Sequence, residues 1–235
     1  MAKKKNERFE EMKSFSCVFE PENEEMRDET SPLKGRWNRD YFKNDNPITL
    51  ELGCGKGEYT IAMAKKYPNR NFIGIDIKGA RLWRGCKTAH EEDLQNVGFL
   101  RIKIEFIENF FARDEVSEIW LTFSDPQPKD RKGTKRLTSQ HFMRRYAKLL
   151  RKDGYIHVKT DSGFLYDRTR EVIEAHNHHL AVDSGDVHGK DIAKFDADTR
   201  EILDVTTFYE RKFLEAGENI HYLKYQLNEQ TFKDK

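Results

Sequence analysis

The stretch Ile48–Gly57, Ile-Thr-Leu-Glu-Leu-Gly-Cys-Gly-Lys-Gly, constrains the fold more than any other part of the chain. An apolar run carries a carboxylate, Glu51, just before its end, and glycines follow at 53, 55 and 57. A second run, Asn71–Ile75, leads into another acid, Asp76. The residues between the runs are too many for a hairpin, and a helix-length segment among them stops at Pro68-Asn69. Two strands, a crossover helix, a glycine turn and two acids describe a nucleotide-binding βαβ unit.

The alternation continues downstream. Short runs rich in Ile, Leu, Val and Phe predict strands at 48–52, 71–75, 97–104, 117–123 and 154–160. Helical spacing predicts helices over 57–67, 78–93, 138–151 and 163–176, with Asp153-Gly154 turning the chain into the fifth strand. Two further strands are expected at 179–184 and 220–227, separated by a loop-rich stretch. The expected fold is therefore α/β, a doubly wound, mostly parallel seven-stranded sheet with helices on both faces. Residues 1–32 read as an acidic, partly disordered arm, and 33–235 as one domain. A bridging segment with Gly35, Arg36, Trp37, Tyr41 and Phe42 is expected to dock its aromatics on that domain.

The net charge of +1 hides a strong segregation. Lys129–Lys152 holds ten Lys or Arg residues against one acid, Asp130, so the rest of the chain carries a net −8. Glu7–Glu29 holds nine acids against three bases. A basic block of this size points to a polyanionic partner. The start, Met-Ala-Lys-Lys-Lys-Asn-Glu-Arg, has no apolar region, and no run is long enough to span a membrane, so a cytoplasmic location and no membrane partner are expected.

Cys17, Cys54 and Cys86 are odd in number and widely spaced, which indicates neither a zinc site nor a disulfide framework. Cys54 reads as a small residue filling the tight glycine turn. His176, His178 and His179 read as solvated side chains near a helix C-terminus rather than a metal site, and His157 as a core residue of its strand.

The glycine spacing separates two ligand classes. A dinucleotide site wants Gly-x-Gly-x-x-Gly facing a pyrophosphate; here the pattern is Gly-x-Gly-x-Gly with Glu51 two residues before it. A carboxylate that close suits a cationic ligand, and S-adenosylmethionine carries a sulfonium and an ammonium but no phosphate. Asp76 then falls where an acid accepts the ribose hydroxyls.

After the fourth strand comes Thr-Phe-Ser-Asp-Pro-Gln-Pro-Lys-Asp-Arg-Lys-Gly-Thr-Lys-Arg-Leu, residues 122–137. Asp125 stands at a strand's carboxyl end, where an open α/β sheet binds its ligands. Pro126 and Pro128 stiffen the exit and hold Asp125 and Lys129 at a set separation. Arg131, Lys132, Lys135 and Arg136 follow at once and read as an RNA-binding run.

These residues resemble the bacterial, single-subunit tRNA (guanine-N7-)-methyltransferases. Asp125-Pro-Gln-Pro-Lys129 with the following basic run is similar to the family's Asp-Pro-Trp-Pro-Lys signature. Gly35-Arg36-Trp37, Asn44-Asp45-Asn46-Pro47, Glu51 with its glycines, Gly74-Ile75-Asp76, Lys159-Thr160-Asp161 and Thr207-Phe208-Tyr209-Glu210 fall in the family's order. The resemblance implies a class I, Rossmann-like methyltransferase that methylates a guanine in the variable loop of tRNA, with S-adenosylmethionine as cofactor. It implies that Glu51, Gly53, Gly55, Asp76 and Asp125 line the cofactor site, and that Lys129, Asp161, Thr207, Phe208, Tyr209 and Glu210 serve the substrate guanosine. Gln127 replaces the family's usual Trp. Lys103 stands where many members carry an acid, so only its backbone is expected near the adenine.

Guanine N7 carries a lone pair and no proton, so the reaction needs alignment rather than a general base. Asp125 is the catalytic candidate: its carboxylate can grip the N1–H and N2 edge and stabilise positive charge arriving on the purine. Asp161 and Glu210 are alternatives for that edge. On local pattern alone, Asp161 also fits a helix cap and Thr207-x-x-Glu210 a capping box. Two other functions compete: a methyltransferase acting on another RNA, a protein or a small molecule, and a non-catalytic RNA-binding protein with a vestigial methyltransferase fold. Monomer and homodimer both stay open.

Overall fold

In the computed structural model, which describes residues 2–21 and 30–232, the chain divides into two units, Met1–Val116 and Ser117–Lys235. The apolar runs become strands where their pattern places them. In the first unit, β1 (Val18–Phe19), β2 (Ile48–Leu52), β3 (Asn71–Ile75) and β4 (Val97–Leu100) lie in the order β1-β4-β3-β2, all parallel. Every residue of β2, β3 and β4 is buried. Such continuous apolar runs mark parallel strands covered on both faces.

Two helices supply the crossovers. α2 (Glu58–Lys66) follows the glycine turn, and α3 (Gly79–Glu91) buries Leu82, Gly85, Cys86 and Ala89 along one stripe. Gly57 opens α2 with φ +69, and an added Cβ would come within 2.6 Å of the Phe99 ring. Cβ atoms on Gly74 and Gly85 would meet the same ring at 2.8 and 2.7 Å. Phe99 thus fills a space that the three bare backbones leave, which lets both helices approach the sheet closely. The bridging aromatics dock as expected: Trp37 is fully buried, its Nε1 donates to Phe110 O at 2.8 Å, and it stacks on Phe111.

The arm behaves differently from its acidic composition. α1 (Ala2–Met12) and β1 pack into the first unit; Met12, Phe15 and Cys17 are buried there, and β1 pairs with β4. Residues 22–29, which hold the densest acids, lie outside the described residues.

The second unit holds β5 (Val116–Thr122), α4 (Gln140–Tyr146), β6 (Leu150–Thr160), α5 (Gly163–Ala175), β7 (His179–Ser184), α6 (Ala197–Leu203), α7 (Phe208–Glu215) and β8 (His221–Gln226). Its strand order is β5-β6-β8-β7, with β8 antiparallel to both β6 and β7. β6 starts at Leu150 rather than 154, and α4 ends at Tyr146 rather than 151. The stretch expected as loop between β7 and β8 contains α6 and α7. Eight strands occur among the described residues, one more than expected; the extra one is β1. No helix among the described residues is long and apolar enough to cross a membrane.

Candidate active site

In the first unit, the backbone of the glycine turn is stitched to the end of β3. Gly53 N and Cys54 N both donate to Ile75 O, at 2.8 and 3.1 Å, and Gly55 N donates to Asp76 Oδ2 at 2.9 Å. Asp76 Oδ1 accepts from Lys78 N at 2.7 Å. Glu51 is only 5% exposed, and its Oε2 accepts from Thr60 N at 2.8 Å and from the Thr60 hydroxyl. The parallel register sets Glu51 beside Gly74 and Leu52 beside Ile75, so Glu51 and Asp76 stand at neighbouring strand ends. Gly55 has φ +57, and a Cβ there would meet nothing within 4 Å, so its backbone borders open space next to the Asp76 carboxylate it donates to. Cys54 is buried in this turn; burial, then Glu51 and Asp76, push its thiol up and keep it protonated.

Two neighbours of this turn carried no signal in the sequence. Ile77 is 44% exposed beside Asp76, an apolar surface next to a carboxylate. Arg101 gathers the outer side: its Nε donates to Ile77 O at 3.4 Å, its Nη1 meets Glu20 at 2.8 Å, and its guanidinium lies 4.6 Å from the Phe9 ring. Phe9 in turn sits where a Cβ on Gly79 would be, at 2.5 Å. Lys103 is exposed and extended, and its carbonyl accepts from Phe106 N.

In the second unit, Asp125 is exposed on the loop after β5. Phe123 and Gln127 flank it with φ +50 and +44, a left-handed conformation uncommon for such residues. Asp125 Oδ1 accepts from Gln127 N at 3.0 Å. Lys129 is exposed and opens a 3-10 turn over Asp130–Lys135, where Arg131, Lys132 and Lys135 are exposed too. Arg136 departs from the expected RNA-binding run. It is half-buried, its Nε donates to Pro126 O at 3.2 Å and Gln127 O at 3.1 Å, and its guanidinium lies 5.0 Å from the Phe164 ring.

Asp161 follows β6 and is half-buried, and burial, reinforced by Glu218, pushes its carboxyl up. It does not cap α5: Ser162 does, with its Oγ accepting from Leu165 N at 3.2 Å. Thr207 and Glu210 form a complete capping box at the start of α7. Glu210 is fully buried, and its Oε1 meets Lys159 Nζ at 2.7 Å and His188 Nε2 at 2.8 Å. Lys159, also fully buried, donates to Leu203 O and Val205 O at 2.7 and 3.1 Å. Glu210, expected on the substrate, is thus committed to the interior, because an ammonium, an imidazole and a helix N-terminus already converge on it. Phe208 and Tyr209, between the two capping residues, are 39% and 47% exposed.

The histidines divide in the same way. His157 is a core residue, stacked on Trp120 with Nδ1 2.9 Å from Tyr222 Oη. His178 is not solvated but buried: its Nδ1 accepts from Asn228 N, and burial pushes its imidazole down to about 4.

A family model described as "Putative methyltransferase" matches residues 45–223. A tRNA (guanine-N(7)-)-methyltransferase of Christiangramia forsetii is 47% identical over 226 residues, covering 96% of this chain and 99% of that one. The enzyme of the same description from Bacteroides thetaiotaomicron is 46% identical, covering 97% and 87%. The chain belongs to the tRNA (guanine-N7-)-methyltransferase family. Among solved structures, the 16S rRNA methyltransferase KamB shares the fold at a TM-score of 0.59 and 16% identity, covering 85% of this chain and 95% of that one. The likeness agrees with the Rossmann-like α/β class expected from the strand–helix alternation.

The family's Asp-Pro-x-Pro-Lys signature therefore sits here on a loop pinned by Asp125 and Arg136, with Gln127, the departure from the usual Trp, at its left-handed corner. The family's Asn-Asp-Asn-Pro segment has a structural job. Asn44 Oδ1 and Asn38 Oδ1 both accept from Asn71 Nδ2, at 2.7 and 2.9 Å, tying the entry of β2 to the start of β3.

Proposed function

We infer that the protein transfers a methyl group from S-adenosylmethionine to N7 of a guanine in the variable loop of tRNA. The observation that carries this reading is the Asp125–Lys129 loop, exposed at both Asp125 and Lys129, running straight into exposed Arg131, Lys132 and Lys135, in a chain 47% identical to an enzyme described by that reaction.

The residues present fit the cofactor. The open backbone at Gly55 leaves room that a side chain would fill, and Glu51 and Asp76, at neighbouring strand ends, suit an ammonium and ribose hydroxyls. Glu51, Gly53, Gly55 and Asp76 hold it, with Ile77 offering an apolar face to the purine. Bound there, S-adenosylmethionine supplies an electrophilic methyl group on a sulfonium.

The chain's own work is recognition and alignment. N7 and O6 of guanine are acceptors, so a carboxylate selects guanine through N1–H and the N2 amino group. Glu210 is occupied by Lys159 and His188, which leaves the guanine edge to Asp125 and Asp161. Lys129 donates to a phosphate or to O6. Phe208 and Tyr209 offer aromatic faces to a base leaving its stack, a step that costs a few kcal/mol. Phosphate contacts by Arg131, Lys132 and Lys135 offset that cost.

Incubation with isotopically labelled S-adenosylmethionine and unmodified tRNA, followed by borohydride reduction and aniline cleavage, tests the reading. Strand scission at one variable-loop guanine is expected. Label that enters tRNA without aniline-sensitive scission, or enters only protein, refutes it.

A further inference from the structure

We propose that Arg136 is a positioning residue for Asp125 rather than a contact to tRNA phosphate. The proposal rests on the methyltransferase reading above. Three features separate Arg136 from its basic neighbours. Its Nε bridges two consecutive carbonyls, Pro126 O at 3.2 Å and Gln127 O at 3.1 Å, the two residues that follow Asp125. Its Nη2 is buried, whereas Arg131, Lys132 and Lys135 are exposed to solvent. Its guanidinium carbon lies over the Phe164 ring, 5.0 Å from the ring centre, and the Arg168 guanidinium lies over the same ring at 5.5 Å.

Phe164 belongs to the first turn of α5, three residues after Asp161. Arg136 therefore links the loop of one guanine-reading carboxylate to the α5 turn that begins two residues after the other, Asp161. The loop needs such a link. Gln127 holds a left-handed φ of +44, a conformation that relaxes unless its surroundings fix it, and the Gln127 amide is the donor that orients the Asp125 carboxylate. A planar guanidinium can bridge two carbonyls and stack on a ring at once; an ammonium supplies the same charge but not that geometry.

Arg136→Lys is the decisive variant, because it keeps the charge and removes the planar fork. The expected result is a fall in kcat of about 30- to 100-fold, the scale of an ångström-level misplacement of a reacting group. The KM for tRNA should stay within about twofold of the parent, and the slope of log affinity against log salt should not change. Phe164→Leu removes the stacking platform without touching any charge and should lower kcat in the same direction. That second variant keeps the test informative should Arg136→Lys fold poorly. Parent-like kcat in both variants overturns the proposal. So does a raised KM for tRNA in Arg136→Lys at unchanged kcat. Failure of the parent enzyme to form N7-methylguanosine would strike the functional reading instead, and is scored separately by the scission assay.

Discussion

Replacing Glu210 by Gln isolates the charge of a fully buried ion pair. Glutamine still serves at the third helical position of a capping box, so the start of α7 keeps its hydrogen bonds. What disappears is the anion 2.7 Å from Lys159, with both side chains fully buried. Removing one partner of such a pair costs about 3–5 kcal/mol. Lys159 keeps two carbonyls, Leu203 O and Val205 O, which places the loss near the lower end, about 3 kcal/mol. For a chain of this length that lowers the unfolding midpoint by about 6–12 °C. The pH dependence carries the sharper test. Burial already lowers the Lys159 pKa, with Glu210 opposing that shift. Between the folded pKa and the unfolded one, the unfolded chain holds a proton that the folded chain has released, so stability rises with pH. Glu210→Gln widens that window downward. Its deficit against the parent should therefore shrink from pH 7 to pH 9 in thermal or urea unfolding. The double variant Lys159→Met/Glu210→Gln removes both charges, should recover at least about half of the loss, and should show a flat deficit. A deficit of Glu210→Gln that is constant with pH, or a double variant equal to the sum of the single ones, would refute the buried-pair account.

Four further outcomes are expected. Asp125→Ala should lower kcat by at least about 100-fold while tRNA affinity stays near the parent value, measured by single turnover and filter binding; equal losses would remove Asp125 from its assigned role. Arg131→Ala/Lys132→Ala should make the log affinity–log salt slope shallower by about 1.5, and an unchanged slope would mean that neither side chain meets a phosphate. Gly55→Ala places a methyl group in open space at φ +57, so the fold should survive with a loss of about 1 kcal/mol while S-adenosylmethionine binds at least about tenfold more weakly in equilibrium dialysis. His178 is held neutral down to about pH 4, so the unfolded chain takes up its proton first, and stability present above pH 6.5 is lost as pH falls toward 4. His178→Gln should therefore lose about 1–2 kcal/mol less than the parent between pH 7 and pH 5, followed by urea unfolding at both values.

The strands at 48–52 and 71–75 were legible to the residue because continuous apolar runs bounded by glycine, proline and acids have one plausible use in a chain of this length. β6 was harder. Leu149-Leu150 continues the apolar spacing of α4, and local pattern does not distinguish a helix's last turn from a strand's first residues. α1 and β1 were hidden by composition: their apolar residues, Phe9, Met12 and Val18, and Phe15 between them are scattered among charges, and partners such as Gly79 and Phe99 lie far along the chain. The acids flanking the glycine turn were readable from spacing because both follow from strand ends. Thr207-x-x-Glu210 read equally as a cap or a substrate contact, and only the burial of Glu210 against Lys159, on the distant strand β6, separates the two. Arg136 shows the same limit. Sequence counts a basic residue as a charge, and whether that charge meets solvent or a carbonyl of its own loop is a matter of three dimensions.

The pairing of β1 with β4 has a consequence for synthesis. Val18 pairs with Phe99, about 80 residues later, so at roughly 5–20 residues per second the nascent N-terminal segment waits about 4–16 s for its partner strand. During that interval Val18 and Phe19 have no sheet to join, and Phe9 has neither Gly79 nor Arg101 to cover it. The charges interleaved with those apolar residues, Glu7, Arg8, Glu10, Glu11, Lys13 and Glu20, are of the kind that disfavours pairing of such a segment with other chains.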